Sequence, residues 1–405
     1  AGVNYGTTTG DDKRTGIYGA LQWKNSTMES SLTYFDSSFH QINSQAQIGI
    51  TAGSHFGESE DPYTLQLTDA KFDSNGVFQS GTMTHPIGGQ GANQFAAGGI
   101  GTNITRNYSE IHGRTRELAW NFKWRVSESW TFQNDLQWVH STNSGDYGMI
   151  NLGTFVPSMT VNETGSRPSF TFDDNARAFL ANPGNYYWGI SQPDINKAKA
   201  DLYAWKVDGK YTFDHPVLRD FRFGVRVTER STRKDKNAGS GWKSYSEGWG
   251  VQPTKVAGQL PQVSDLGWQR SNYGYMSDPR YAALGTVEPY TFPDFFNGRM
   301  TAPPPFIAPT DALIHNKPDA YRNLLTALKY NCMDANAIKG TNSDCSTFAD
   351  GWTPDHYDND PAHVSKHSEG SQALHGTLRF GFDDWKYPVD GNVGVRVVRT
   401  STTAH

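Results

Sequence analysis

No stretch of this sequence approaches the roughly 20 consecutive apolar residues that a membrane-spanning helix needs, so a helical membrane bundle is excluded. That absence leaves closed β-barrels untouched, because they also satisfy every backbone group within lipid. Basic runs are missing too. Lysine and arginine total 36 against 41 acidic residues, a formal net charge of −5 with the signs mixed along the chain. Without a basic stripe there is no electrostatic footprint for nucleic acid, and that partner is set aside. Hydrophobic residues are scarce: they make up 36% of the chain and mean hydropathy is −0.65, low for a packed interior at this size. Disorder would account for the scarcity, but disordered chains are poor in rings, and here 13% of residues are aromatic. Few aliphatics, many rings and 41 glycines describe an all-β protein with long irregular loops.

Cysteine is nearly absent. Cys332 and Cys345 stand alone in a polar segment, far from any histidine cluster. So close and isolated a pair reads as a loop disulfide formed in an oxidising compartment, with two free thiols as the alternative. Closing so short a loop would contribute about 3 kcal/mol in the chain-entropy model.

What the chain does contain is alternation. In "ELAWNFKWRVSESWTFQNDLQWVH" (Glu117–His140), Leu118, Trp120, Phe122, Trp124 and Val126 share one parity, with Ala119, Asn121, Lys123 and Arg125 on the other. After Ser-Glu-Ser the pattern resumes with Trp130, Phe132, Leu136 and Trp138. Period two means paired strands with a dry face and a wet face. Three further hairpins follow the same rule, around Ile17–Tyr34, Tyr203–Val227 and Leu374–Val397. Connections within pairs are short (residues 25–27, 127–129, 214–220 and 383–392) and those between pairs are long (40–117, 141–201 and 231–373). Short turns on one rim and long loops on the other mark an outer-membrane barrel, and strands of about 9–11 residues suffice to cross a tilted bilayer. Trp23, Trp124, Trp130, Phe213, Phe221, Phe380 and Phe382 sit close to the short turns, where an interfacial girdle belongs. The opposite parity carries Lys123, Arg125, Asp135, Lys206, Asp208, Arg222, Arg226 and Arg379, too charged for a protein core and suited to a lumen. The expected fold class is therefore all-β: a section of an antiparallel transmembrane β-barrel, about eight strands in four hairpins, with long extracellular loops, short periplasmic turns and a short helix in the longest loop.

Two of these hairpins, "TGIYGALQWKNSTMESSLTYFDSSF" and "LRFGFDDWKYPVDGNVGVRVVRT", resemble segments of TonB-dependent outer-membrane receptors, especially the large-loop subfamily of alphaproteobacteria and xanthomonads. "GGQGANQFAAGGIGTN" (Gly88–Asn103) resembles a loop of the same subfamily. The resemblance covers the hairpins, about a third of the chain, and is diffuse elsewhere. It implies a larger barrel closed by a plug, embedded in outer-membrane lipid, with import of a scarce nutrient energised by the inner-membrane TonB–ExbB–ExbD complex. Residues 1–405 lack a TonB box, a plug and a terminal closing strand, so the expectation is a partial barrel domain whose coupling to TonB lies outside these residues.

Ligand contacts belong in the loops above a barrel. Ring-dense loops supply the candidates Tyr186, Tyr187, Trp188, Trp242, Tyr245, Trp249, Trp268, Arg270, Tyr273 and Tyr275. Flat rings beside polar groups suit a pyranose, and the subfamily's association with sugar uptake points to an oligosaccharide; the competing reading is that these rings fold the loops onto one another. "DHYDNDPAHVSKH" (Asp355–His367) matches no ion-binding spacing and reads as a solvated acidic loop. "KPDAYRNLLTALKYN" (Lys317–Asn331) reads as a short helix leading into Cys332. No acid, base or nucleophile set converges in the sequence, so no enzyme, cofactor or metal is expected. An iron-chelate receptor, a passive porin and an adhesin are the alternatives to a sugar receptor.

Overall fold

The computed structural model describes residues 2–51, 66–84, 100–164, 167–245, 274–292 and 295–404. Eight long strands form one antiparallel sheet in chain order: β1 (Gly2–Lys24), β2 (Met28–Thr51), β5 (Ile100–Arg125), β6 (Trp130–Val156), β9 (Tyr187–Thr212), β10 (Leu218–Lys236), β14 (Val364–Phe382) and β15 (Val389–Ala404). The seven short strands between them take the intervening numbers. The four hairpins read from alternation are all present, and their turns span residues 25–27, 126–129, 213–217 and 383–388. An all-β antiparallel fold is what the alternation predicts and what the chain adopts.

The strands are far longer than expected. They run from 16 residues in β15 to 27 in β6. The β2–β5 ladder extends from Met28↔Trp124 to Ile50↔Thr102, so residues 41–51 and 100–116 are strand rather than loop. The reason is local chemistry. In Ser109–Arg116 both parities are largely polar, which erases the apolar alternation while the backbone goes on pairing.

At the far end from the short turns, the loops build a second layer that the sequence reading did not supply. One register row, Tyr5–Ile48–Ile104–Leu152–Trp188, crosses five strands. It belongs to a core containing Phe292, Phe306, Ile307, Ile314, Tyr321 and Leu324 from the longest loop. Small sheets frame this cap: β3 (Gln66–Phe72), β4 (Phe78–Thr84), β7 (Ser158–Asn162) and β8 (Ser169–Thr171) form one. A second joins β12 (Val287–Tyr290) to β13 (Phe306–Pro309), and β11 (Lys243–Ser244) lengthens the long sheet beside β9. The loop helix is two helices, Asp319–Leu324 and Thr326–Lys339. The second carries Cys332 within it and ends at Gly340, whose positive φ of 64° suits glycine. β1 pairs only with β2 and β15 only with β14, so the sheet has two edges and is not closed among the described residues.

Candidate functional site

The parity buried under the cap is bare near the short turns. Leu21, Leu32, Trp120, Leu136, Trp205 and Val227 lie opposite one another on six consecutive strands. Among the described residues no layer covers them: Trp120 is 38% exposed, Trp205 42% and Leu21 72%. The indole N–H groups are satisfied sideways on the same face, Trp120 Nε1 donating to Ser30 Oγ at 3.0 Å and Trp205 Nε1 to Asn134 Oδ1 at 2.8 Å. Nearer the turns the rings touch in a belt, with Trp130 4.8 Å from Tyr211 and 5.7 Å from Phe132, and Phe221 5.9 Å from Phe223. The Phe223 ring lies over Gly209, filling the place where a side chain would stand. On β9 and its turn the bare band runs from Tyr203 to Phe213, ten residue steps, or about 33 Å along the strand, which projects to about 23 Å at a tilt near 45°.

The opposite face is a wall of paired charge. Gln137 donates to Glu117 at 2.9 Å, and Asn121 bonds Asp135. Lys206 meets Asp208 at 2.5 Å, Arg230 meets Glu369 at 2.9 Å, and Asp220 holds both Arg222 (2.8 Å) and Arg379 (3.2 Å). The charged residues expected to face a lumen therefore share one side, in register.

The predicted ligand rings divide. Tyr186, Trp188 and Tyr245 are 0%, 1% and 2% exposed, and their polar atoms are engaged inside the cap. Tyr186 donates to the Leu180 carbonyl at 2.6 Å, Trp188 Nε1 to the Tyr281 carbonyl at 2.9 Å, and Tyr245 shares a hydrogen bond with Ser191 at 2.5 Å. Burial raises the Tyr186 and Tyr245 phenols above their ordinary pKa, keeping both neutral. Tyr187 is buried and packs edge-on against half-buried Tyr275 at 5.6 Å. These rings hold the loops together, the competing reading above. Trp242 alone among the described candidates is exposed, at 48%. Trp249, Trp268, Arg270 and Tyr273 lie outside the described residues. Cys332 and Cys345 are disulfide-bonded, Cα–Cα 5.7 Å, tying the Thr326–Lys339 helix to the segment after it.

Sequence reasoning missed a charged hub at the cap's base. Lys317, with a side chain only 14% exposed, reaches Asp146 on β6 at 2.7 Å and Asp355 at 2.9 Å. The Asp355 side chain is itself only 11% exposed and also accepts from Asn237 at 2.7 Å, so the acidic segment it opens is anchored rather than wholly solvated. Burial, reinforced by Asp355, raises the pKa of the neighbouring Asp194 carboxyl. Also missed were His40, Glu110 and His112, whose possible ligand atoms lie within 4.8 Å of one another. Both Nε2 atoms already contact Glu110 Oε1, at 2.8 and 3.2 Å, and the two rings stack 4.1 Å apart at 12°. The trio is therefore held together by hydrogen bonds about one carboxylate oxygen. The spacing Glu-Ile-His on one strand was its only trace in the sequence.

Fold and faces together define a class: an antiparallel β-sheet protein, bare and apolar on one side, charged on the other, with elaborate loops on one rim. No protein-family model, curated protein or solved structure matches this chain.

Proposed function

We propose that this chain forms part of the wall of an outer-membrane β-barrel, and that the barrel is a TonB-dependent receptor importing a scarce nutrient captured at its loops. The bare ring-edged band, about 23 Å tall, carries the reading, because it is close to the roughly 25 Å apolar band of such barrels. Left in water, so large an apolar patch is an aggregation hazard. Acyl chains are the natural cover. The paired charges opposite fit a wet lumen or a plug surface, and the two unpaired edges fit further strands on either side. An oligosaccharide is the favoured ligand class, with Trp242 offered to solvent as the stacking ring and Tyr275 beside the same loops.

The test has two arms. Membrane fractionation of the full-length protein should place it in the outer membrane, with slower gel migration after boiling; recovery as a soluble species overturns the barrel. Uptake of labelled oligosaccharide should vanish when TonB is deleted. Uptake that survives the deletion overturns the receptor and leaves a passive porin.

A further inference from the structure

We propose that a transverse row of cations just beyond the bare band binds the phosphorylated headgroups of membrane lipid; the inference rests on the membrane reading above. In register across six strands stand Ser38, Arg114, Thr142, Lys199, Arg233 and Lys366. Four are cations and none is acidic. Lys199, Arg233 and Lys366 occupy three adjacent strands, about 5 Å from one to the next. Like charges placed directly opposite destabilise a sheet. The row next to it shows the contrast, since there Arg116 faces Asp36 at 3.6 Å and His140 meets Asp201 at 2.7 Å.

Local acids offset only half of the row. Arg114 holds Asp36 at 2.6 Å and Arg233 holds Asp235 at 2.7 Å. Lys199 and Lys366 are exposed and make no ion pair or hydrogen bond among the described residues. Two hollows flank them: one of about 700 Å³ bordered by Lys13, Arg114 and Lys199, the other of about 310 Å³ between Lys199, Arg233 and Lys366. The ligand that offsets such a row must be a multiply charged anion with several acceptor oxygens, which a neutral sugar is not.

Position selects the lipid. Lys199 lies four residues beyond Tyr203, the last ring of the band, on the same face. That is about 13 Å along the strand and about 9 Å along the membrane normal at a 45° tilt, which is headgroup depth. A phosphate held there leaves its acyl chains lying on Tyr203, Trp205 and Val227.

The experiment reconstitutes the full-length protein in phosphatidylcholine vesicles containing a diphosphorylated acyl-glucosamine lipid, then counts retained lipid by native mass spectrometry after extraction into neutral detergent. The wild type should retain that lipid, and excess inorganic phosphate should not displace it. K199Q/K366Q should retain about tenfold less, and K199R/K366R should match the wild type. In lipid-free detergent the Gln variant should resist urea better than the wild type, because repulsion has been removed. Unchanged retention in the Gln variant, or its lower stability without lipid, overturns the proposal. Displacement by inorganic phosphate makes the occupant free phosphate and overturns the lipid assignment. A protein that never inserts into vesicles overturns the membrane reading as well, whereas insertion without retention overturns this proposal alone.

Discussion

Val225 is the sharpest place to ask what bathes the bare face. It sits on β10 near the middle of the band, flanked by Val207 and Leu374 on the adjacent strands. On the proposed lipid-facing assignment, replacing it with arginine puts a charge at the deepest point of the hydrocarbon, where such a substitution costs about 2–4 kcal/mol. The cost must then fall along the same strand and face. Val227→Arg lies about 5 Å closer to the interface and should cost less, and Glu229, four residues from Val225, is already charged in the native sequence. In water the same series stays flat, because Val225→Arg on a solvent-exposed face changes stability by no more than about 0.5 kcal/mol. The full-length protein folded into vesicles and titrated with guanidinium, read by tryptophan fluorescence, gives each value. Arg226→Leu, one residue away on the charged face, provides the control with no depth dependence. A flat series across Val225, Val227 and Glu229→Gln refutes the lipid-facing assignment.

Other perturbations address the cap. Lys317→Met strands Asp355 without its cation; with Asn237 still donating, the loss should be near 3 kcal/mol, read as faster hydrogen exchange in Thr326–Lys339, and Asp355→Leu in the same chain should recover much of it. Replacing Cys332 and Cys345 with serine should loosen the same helix by up to about 3 kcal/mol while leaving exchange in β5 and β6 unchanged. Asp194 has a folded pKa above its unfolded value, so its contribution is favourable below the unfolded pKa and is lost as pH rises through the folded one. Asp194→Asn should therefore stabilise the cap at neutral pH and do little in acid, measured as protease resistance against pH. Trp242→Ala should weaken oligosaccharide binding without opening the cap, whereas Trp188→Ala should open it at a cost of about 3–5 kcal/mol, separating a ligand ring from a packing ring by calorimetry and proteolysis.

Strand pairing near the short turns was legible because alternation there is enforced on both faces, apolar against charged. Above Tyr34 and Tyr203 the same strands continue through residues such as Asp36, Ser38, Arg114 and Lys199, and with neither face apolar the alternation loses its contrast. It returns at Ala46, Ile48 and Ile50, where the cap lands, a spacing of two that was available to be read as strand. Ring density misled at Tyr186, Trp188 and Tyr245 because composition cannot tell a ring that holds a loop from one that waits for a ligand. The Lys317 hub joins residues separated by 171 and 38 positions, so no local pattern announced it.

The length of the strands has a mechanical consequence. From Tyr203 to Tyr187, β9 adds 16 residues beyond the bare band, about 53 Å of ladder and about 37 Å of height at a 45° tilt. In the barrel proposed above, a scaffold of that reach works as a mast, lifting the crown clear of the headgroup layer. On that proposal a ligand is met out in the surrounding fluid, on a stiff platform, and not at the mouth of a flush pore.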